Sequence, residues 1–209
     1  ENLLDATNAF AEYVTDEAEL AGLPADVVQA AREAAEKDGQ QGWKFTLHMP
    51  SYWPVQQFAD SRRLRAALYR ASATRAAEFG PEKLDNTPLI RRILELRREE
   101  SQMLGYDNYA EVSLVPKMAE SVPQVLAFLR DLAVKAKPFA HKDIAELREF
   151  AKQNLGLDTL EPWDVGFASE KLLHARSAFS EQEVKRYFTD DKVLGGLFRV
   201  VETLFGVRL

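Results

Sequence analysis

Of the 209 residues, 46% are hydrophobic and 29% charged, enough apolar side chain to bury a sizeable core and too much for intrinsic disorder. The 33 acidic residues against 27 basic ones leave a formal net charge of −6, which disfavours non-specific binding to nucleic acid or to an anionic membrane. Cysteine is absent, excluding a disulfide framework, a thiolate zinc site and a cysteine nucleophile, and no apolar run approaches the roughly 18 residues that span a bilayer.

The expectation is therefore a soluble protein of the reducing cytoplasm, without an export signal. The chain opens on Glu1-Asn2 and closes on Val207-Arg208-Leu209 just after a Gly206 helix cap, which reads as a fragment excised from something longer.

Residues 3–14 are ambiguous: Phe10, Tyr13 and Val14 suit a short strand or an irregular lead-in. Asp16 and Glu19 form a capping box for a short helix ending near Gly22, and Pro24 opens a second helix through Val27, Val28, Ala31 and Ala35 to Gly39. From Trp43, apolar and polar residues alternate through Phe45 and Leu47, predicting a strand over 43–48; Pro50 and Pro54 then predict a rigid, aromatic-lined corner.

Ser61 caps a predicted helix running to Phe79, with Gly80-Pro81 as its stop, and its Arg62, Arg63, Arg65 and Arg70 read as a solvated, ion-paired face. A further helix starts at Asn86-Thr87-Pro88, with Ile90, Ile93, Leu94, Leu96 and Met103 as its buried stripe. Asp107 is the predicted cap of a short segment ended by Pro116. Ser121 and Gln124 open the longest helix, whose Val125, Leu126, Phe128, Leu129, Leu132, Ile144, Leu147 and Phe150 continue the apolar pattern and whose Pro138 predicts a kink or break near Lys137. Trp163, Val165 and Phe167 alternate as a second short strand, 163–167, although Asp164 equally suits a helix cap. Ser180 and Glu183 form another capping box, and the last helix, about 191–205, carries Val193, Leu194, Leu197, Val200, Val201, Leu204 and Phe205 on its apolar side. No repeat or linker divides the chain, so residues 1–209 read as one mainly α piece without an internal boundary.

No constellation of residues announces chemistry. His48, His141 and His174 are far apart, none in a His-Glu-x-x-His pattern, and His48 and His141 read as surface residues. There is no Gly-x-Ser-x-Gly elbow and no phosphate-binding glycine loop. The pairs Glu99-Glu100 and Asp190-Asp191 read as structural, and the aromatics Trp43, Phe45, Tyr52, Trp53 and Phe58 as core rather than cleft.

What does stand out is an ordered series of short tracts. It comprises Gly42-Trp43, Thr46-Leu47, Pro50-Ser51-Tyr52 and Pro54; then Leu64-Arg65, Tyr69 and Thr74-Arg75-Ala76. It continues with Ile93-Leu94, Leu96-Arg97, Leu104-Gly105-Tyr106, Asn108-Tyr109-Ala110-Glu111, Lys117-Met118-Ala119, Pro162-Trp163-Asp164 and Ser169-Glu170-Lys171. This series resembles the thimet oligopeptidase family of zinc metallopeptidases, and most its bacterial oligopeptidase A branch. The chain departs from relatives at Phe167-Ala168, where two aromatics are common, and at His48, where an acidic residue is common.

The resemblance implies a helical, channel-wall portion from the middle of a larger cytoplasmic peptidase that hydrolyses short unfolded peptides. In such enzymes a His-Glu-x-x-His helix and a downstream glutamate hold one zinc, whose bound water attacks the peptide while the motif glutamate acts as base. Those ligands fall outside these residues, so no catalytic, cofactor-binding or metal-binding residue is carried onto this chain. The fragment itself is expected to be inactive and zinc-free, with the remainder of the polypeptide and short peptides as its partners, and with neither nucleic acid nor membrane. Two alternatives remain: a peptidyl-dipeptidase of the same family, and a non-catalytic helical interaction module. Apolar stripes that packed on missing partners are expected to be bare.

Overall fold

The computed structural model describes residues 1–177 and 181–208, of which 181 and 182 are described in backbone only. The predicted Ser180 capping box lies outside the described residues. Two compact units are present, Glu1–Ala168 and Ser169–Leu209.

The first unit begins with helix α1 (Asn2–Ala9), strand β1 (Glu12–Val14) and a 3-10 turn (Glu17–Leu20), followed by α2 (Ala25–Lys37), β2 (Trp43–Phe45), α3 (Met49–Phe58) and α4 (Arg62–Ala73). After a second 3-10 turn come α5 (Thr87–Met103), α6 (Tyr109–Leu114), α7 (Val122–Leu155) and the start of α8 (Pro162–Ser177). The second unit holds the rest of α8, then α9 (Glu181–Lys185) and α10 (Asp190–Phe205). The mainly α class holds. None of the described helices is long and apolar enough to cross a membrane.

The lead-in expected as a short strand or irregular chain is instead helical over Asn2–Ala9, with the strand confined to Glu12–Val14, and β1 is the partner of β2. The two pair antiparallel, Glu12 opposite Phe45, Tyr13 opposite Lys44 and Val14 opposite Trp43. Alternation puts Val14 and Phe45 inside, while Lys44 and Tyr13 point outward and share the carboxylate of Asp38. Val14, Leu20, Ala31, Phe45, Val55, Ala59, Leu64 and Leu68 form the core, with Trp43 and Tyr52 packed against it. The aromatic group is thus mainly core, as its residues suggested. Trp53 alone of the five points substantially to solvent.

Gly42 makes the entry into β2 possible. It sits at φ +90°, and a Cβ there would lie 2.1 Å from the carbonyl oxygen of Val14. Gly42→Ala therefore meets both the left-handed backbone penalty and a collision with the neighbouring strand. Its expected cost is about 2 kcal/mol or more, read as a lowered urea midpoint.

Several expectations are corrected. The strand at 43–48 is three residues long, because His48 and Pro50 already belong to the start of a helix. The corner at Pro50 and Pro54 is α3 itself: Pro50 occupies its first turn, where no amide N–H is required, and Pro54 is accommodated further in. Helix α4 ends at Ala73 rather than Phe79, because Ala76 takes a left-handed φ of 51°. Asn108, not Asp107, caps α6: its Oδ1 accepts from the Glu111 amide at 3.2 Å while the Glu111 carboxylate accepts from the Asp107 amide at 3.1 Å. Helix α7 runs unbroken through Pro138.

Residues 163–167 form no strand but the first turns of α8. There Gly166 lets α8 approach α3 so closely that a Cβ would lie 3.2 Å from the Gln56 carbonyl oxygen. The expected buried sides of α5 and α10 are instead exposed, Ile90, Ile93, Leu94 and Met103 on the first and Leu197, Leu204 and Phe205 on the second. Both helices are amphipathic as the sequence reads, but neither stripe is covered by the described residues of its own unit.

Candidate functional site

The most organised polar cluster in the first unit joins α4 to α8. Ser61 caps α4 by accepting from the Leu64 amide at 3.2 Å, which fixes where the following arginines point. Arg65, 1% exposed, runs inward. Its Nη2 donates to Asp164 Oδ1 at 2.8 Å, its Nη1 to the Ala59 and Asp60 carbonyls at 2.6 and 3.2 Å, and its Nε to the Trp163 carbonyl at 3.2 Å. The guanidinium also stacks 4.1 Å from the Phe167 ring centroid. Arg62, half exposed, approaches Asp164 from the other side, with Nη2 2.7 Å from Oδ2 and Nε 3.1 Å from each oxygen. The Glu161 amide completes the shell of Asp164 at 3.1 Å.

Burial pushes the Asp164 carboxyl up, but the hydrogen bonds from Arg62, Arg65 and the Glu161 amide outweigh it and hold the group below its ordinary range. The reading of these arginines as a solvated, ion-paired face holds for Arg62 and Arg63. Arg65 is ion-paired too, but it is interior rather than solvated, and its carbonyl additionally accepts from the buried Gln56 side chain at 2.9 Å.

A second, more open set lies on the neighbouring face of α4. Arg63 grips Glu19 with two bonds, 2.6 and 3.0 Å, and reaches Glu12 at 2.8 Å, while Ser61 Oγ donates to Glu19 at 2.9 Å. Arg63 holds the Glu19 carboxyl below its ordinary value against a smaller opposing effect of burial. For both Glu19 and Asp164 the folded pKa lies under the unfolded one. The stability they contribute is complete above the unfolded values near 4 and drains away as pH falls through the lower folded values. Urea midpoints are accordingly expected to hold steady down to about pH 4 and to decline below it, and Glu19→Gln should flatten part of that decline.

A hollow of about 460 Å³ beside this cluster is lined by Arg62, Arg63, Ala66, Thr159, Glu161 and Trp163. Both arginines in it are already engaged by carboxylates. The side chains of His48, His141 and His174 are exposed on α3's cap, α7 and α8 respectively, on three different elements. Among the described residues no group of three or more His, Asp or Glu is placed to hold a metal ion. What the Arg65 and Asp164 cluster does chemically is to neutralise a buried cation and pin two helices together.

The convergence was not visible in the chain order. Leu64-Arg65, Tyr69 and Pro162-Trp163-Asp164 belong to separate tracts, yet they meet here, with the Tyr69 and Trp163 rings edge to face at 6.1 Å. The signal that could have found it is the apolar setting of Arg65, three residues before Leu68 and one after Leu64 on a face that should be dry.

Residues 55–209 match the model described as Peptidase family M3. The chain belongs to peptidase family M3. Oligopeptidase A of Salmonella typhimurium is 45% identical over 208 residues, which is 99% of this chain and 31% of that protein. Oligopeptidase A of Escherichia coli gives the same figures, and the organellar oligopeptidase A of Arabidopsis thaliana is 41% identical over 221 residues, covering 100% of this chain and 27% of that protein. Dipeptidyl carboxypeptidase of Salmonella typhimurium is 30% identical over 209 residues, covering 99% of this chain and 30% of that protein. This M3 chain thus spans less than a third of the length of these relatives. The family match begins at Val55, inside α3, so the two-stranded sheet of β1 and β2 and the stretch Trp43 to Pro54 are tied to the family by the relatives alone. The Arg65 and Asp164 cluster lies wholly within the matched span.

Proposed function

We propose that these residues form one continuous scaffold portion, part of the channel wall, of a cytoplasmic zinc peptidase that hydrolyses short unfolded peptides as oligopeptidase A does by name. Zinc and the groups that act on the peptide belong, in this reading, to the remainder of the polypeptide, and the 209 residues alone are inactive. The single observation that carries it is the 45% identity to oligopeptidases A across 99% of the chain, against 30% for a dipeptidyl carboxypeptidase. Short peptides as substrates rest on the name of those relatives.

The test is to express the whole reading frame that contains these residues and to offer it a short peptide amidated at its C-terminus. An oligopeptidase cuts such a peptide at an internal bond. An enzyme that removes C-terminal dipeptides needs the free carboxylate and leaves the amide intact, so cleavage confined to the free-acid peptide, two residues at a time, favours that second activity. No cleavage of either peptide would favour a non-catalytic interaction module.

A further inference from the structure

The apolar stripe of α7 is buried at one end and bare at the other. Leu147 and Ala151 are covered. Following the same face back in steps of three and four passes through Ala140, Ala136, Ala133, Leu132, Leu129 and Leu126. Every residue from 126 to 143 is exposed, whichever way it points, with Leu126 at 42%, Leu129 at 53% and Leu132 at 46%. The opposite face carries the Asp131 and Lys135 ion pair and Lys142, so the helix is amphipathic along its bare length. About five turns of helix with solvent on all sides gain nothing from packing, which is where most helical stability in proteins comes from. The sequence has paid for an apolar face that the described residues do not use.

We propose that this stripe, Leu126 to Ala140, docks against the part of the same polypeptide that the M3 relatives carry and this span does not. Two observations select that occupant. The stripe is continuous with a face already buried inside the unit, so the cover continues an intramolecular core rather than starting a separate patch. The matched relatives are also more than three times as long as the span, which supplies the chain to provide that cover. The inference rests on the reading that these residues are part of such a longer peptidase.

The absence of cysteine from these residues makes the test clean. Leu129→Cys, on the stripe, and Ala127→Cys, on the opposite face, are introduced singly into the protein expressed from the whole reading frame. Each is labelled with a maleimide, and the modified site is identified by peptide mass. Leu129→Cys is expected to react at least about tenfold more slowly than Ala127→Cys, because it reacts only through local opening. In the 209-residue chain alone the two should react alike. Leu132→Cys repeats the measurement should Leu129→Cys perturb folding.

Equal reactivity in the longer protein overturns the proposal. So does protection that disappears on dilution, or that already exists in the 209-residue chain, since either assigns the stripe to a second copy. Peptide hydrolysis by the unsubstituted longer protein is measured alongside. If it is absent the peptidase reading fails, while the labelling pattern still decides where the stripe packs.

Discussion

Asp164→Asn is expected to cost about 3–5 kcal/mol of folding stability, because it strips the counter-charge from an arginine that has no water to turn to. The asparagine keeps the shape of the side chain but turns one carboxylate oxygen into an amide donor. That donor then faces the guanidinium of Arg65 at the 2.8 Å contact or that of Arg62 at the 2.7 Å contact. Arg62 can swing into solvent, being 44% exposed at the side chain, whereas Arg65 at 1% cannot. The asymmetry gives the experiment its control: Arg62→Ala should cost no more than about 1.5 kcal/mol, the scale of one partly exposed charged hydrogen bond. Urea unfolding of the three proteins reads both values. A loss below about 1 kcal/mol for Asp164→Asn would mean that the cluster does not hold α4 to α8.

Phe45→Ala is the second large effect, about 3–5 kcal/mol, from the removal of a fully buried ring at the centre of the core. Phe45 stands on β2, where the backbone is held by its ladder to β1, so the surrounding Val14, Leu20, Val55 and Leu68 cannot all collapse into the vacated space. Trp53→Ala, on the adjacent helix, removes a larger side chain that is 48% exposed and should cost less than about 1 kcal/mol. Equal losses at the two positions would mean that the core has been misplaced.

The helical pattern was legible because α2, α5, α7 and α10 are long, periodic and marked at their ends: Ser121 with Gln124, and the Gly156 and Gly206 caps, stand where the chain predicts. What the sequence hid was of three kinds. Pro50 looks like a breaker although it stands in a first turn that needs no amide donor, and Pro54 inside the helix adds to the resemblance, so that α3 has the sequence of a corner. Trp163, Val165 and Phe167 alternate, yet the segment is helical, because Asp164 and Phe167 both turn onto Arg65, one accepting its Nη2 and the other lying under its guanidinium. That demand is tertiary and comes from a residue about a hundred positions away. Finally, periodicity tells which side of a helix wants to be buried but not whether anything buries it. Ile90 on α5 and Leu204 on α10 are in the right register and stand in solvent.

The family was more legible than the site. Short tracts such as Leu64-Arg65 and Pro162-Trp163-Asp164 carried the resemblance as an ordered set, and the structure gives some of them a shared physical reason, a buried ion cluster that joins two helices. A residue set shaped by such packing identifies a scaffold. It does not locate chemistry.

The most direct measurement is zinc content by metal analysis, made side by side on the 209-residue chain and on the protein from the whole reading frame. The expected result is about one tightly held zinc per chain in the longer protein and none above background in the 209 residues, since four donors must converge to hold the ion. One zinc retained stoichiometrically by the 209-residue chain, or none in the longer protein, would contradict the assignment of these residues as the scaffold of a zinc peptidase whose active site lies outside them.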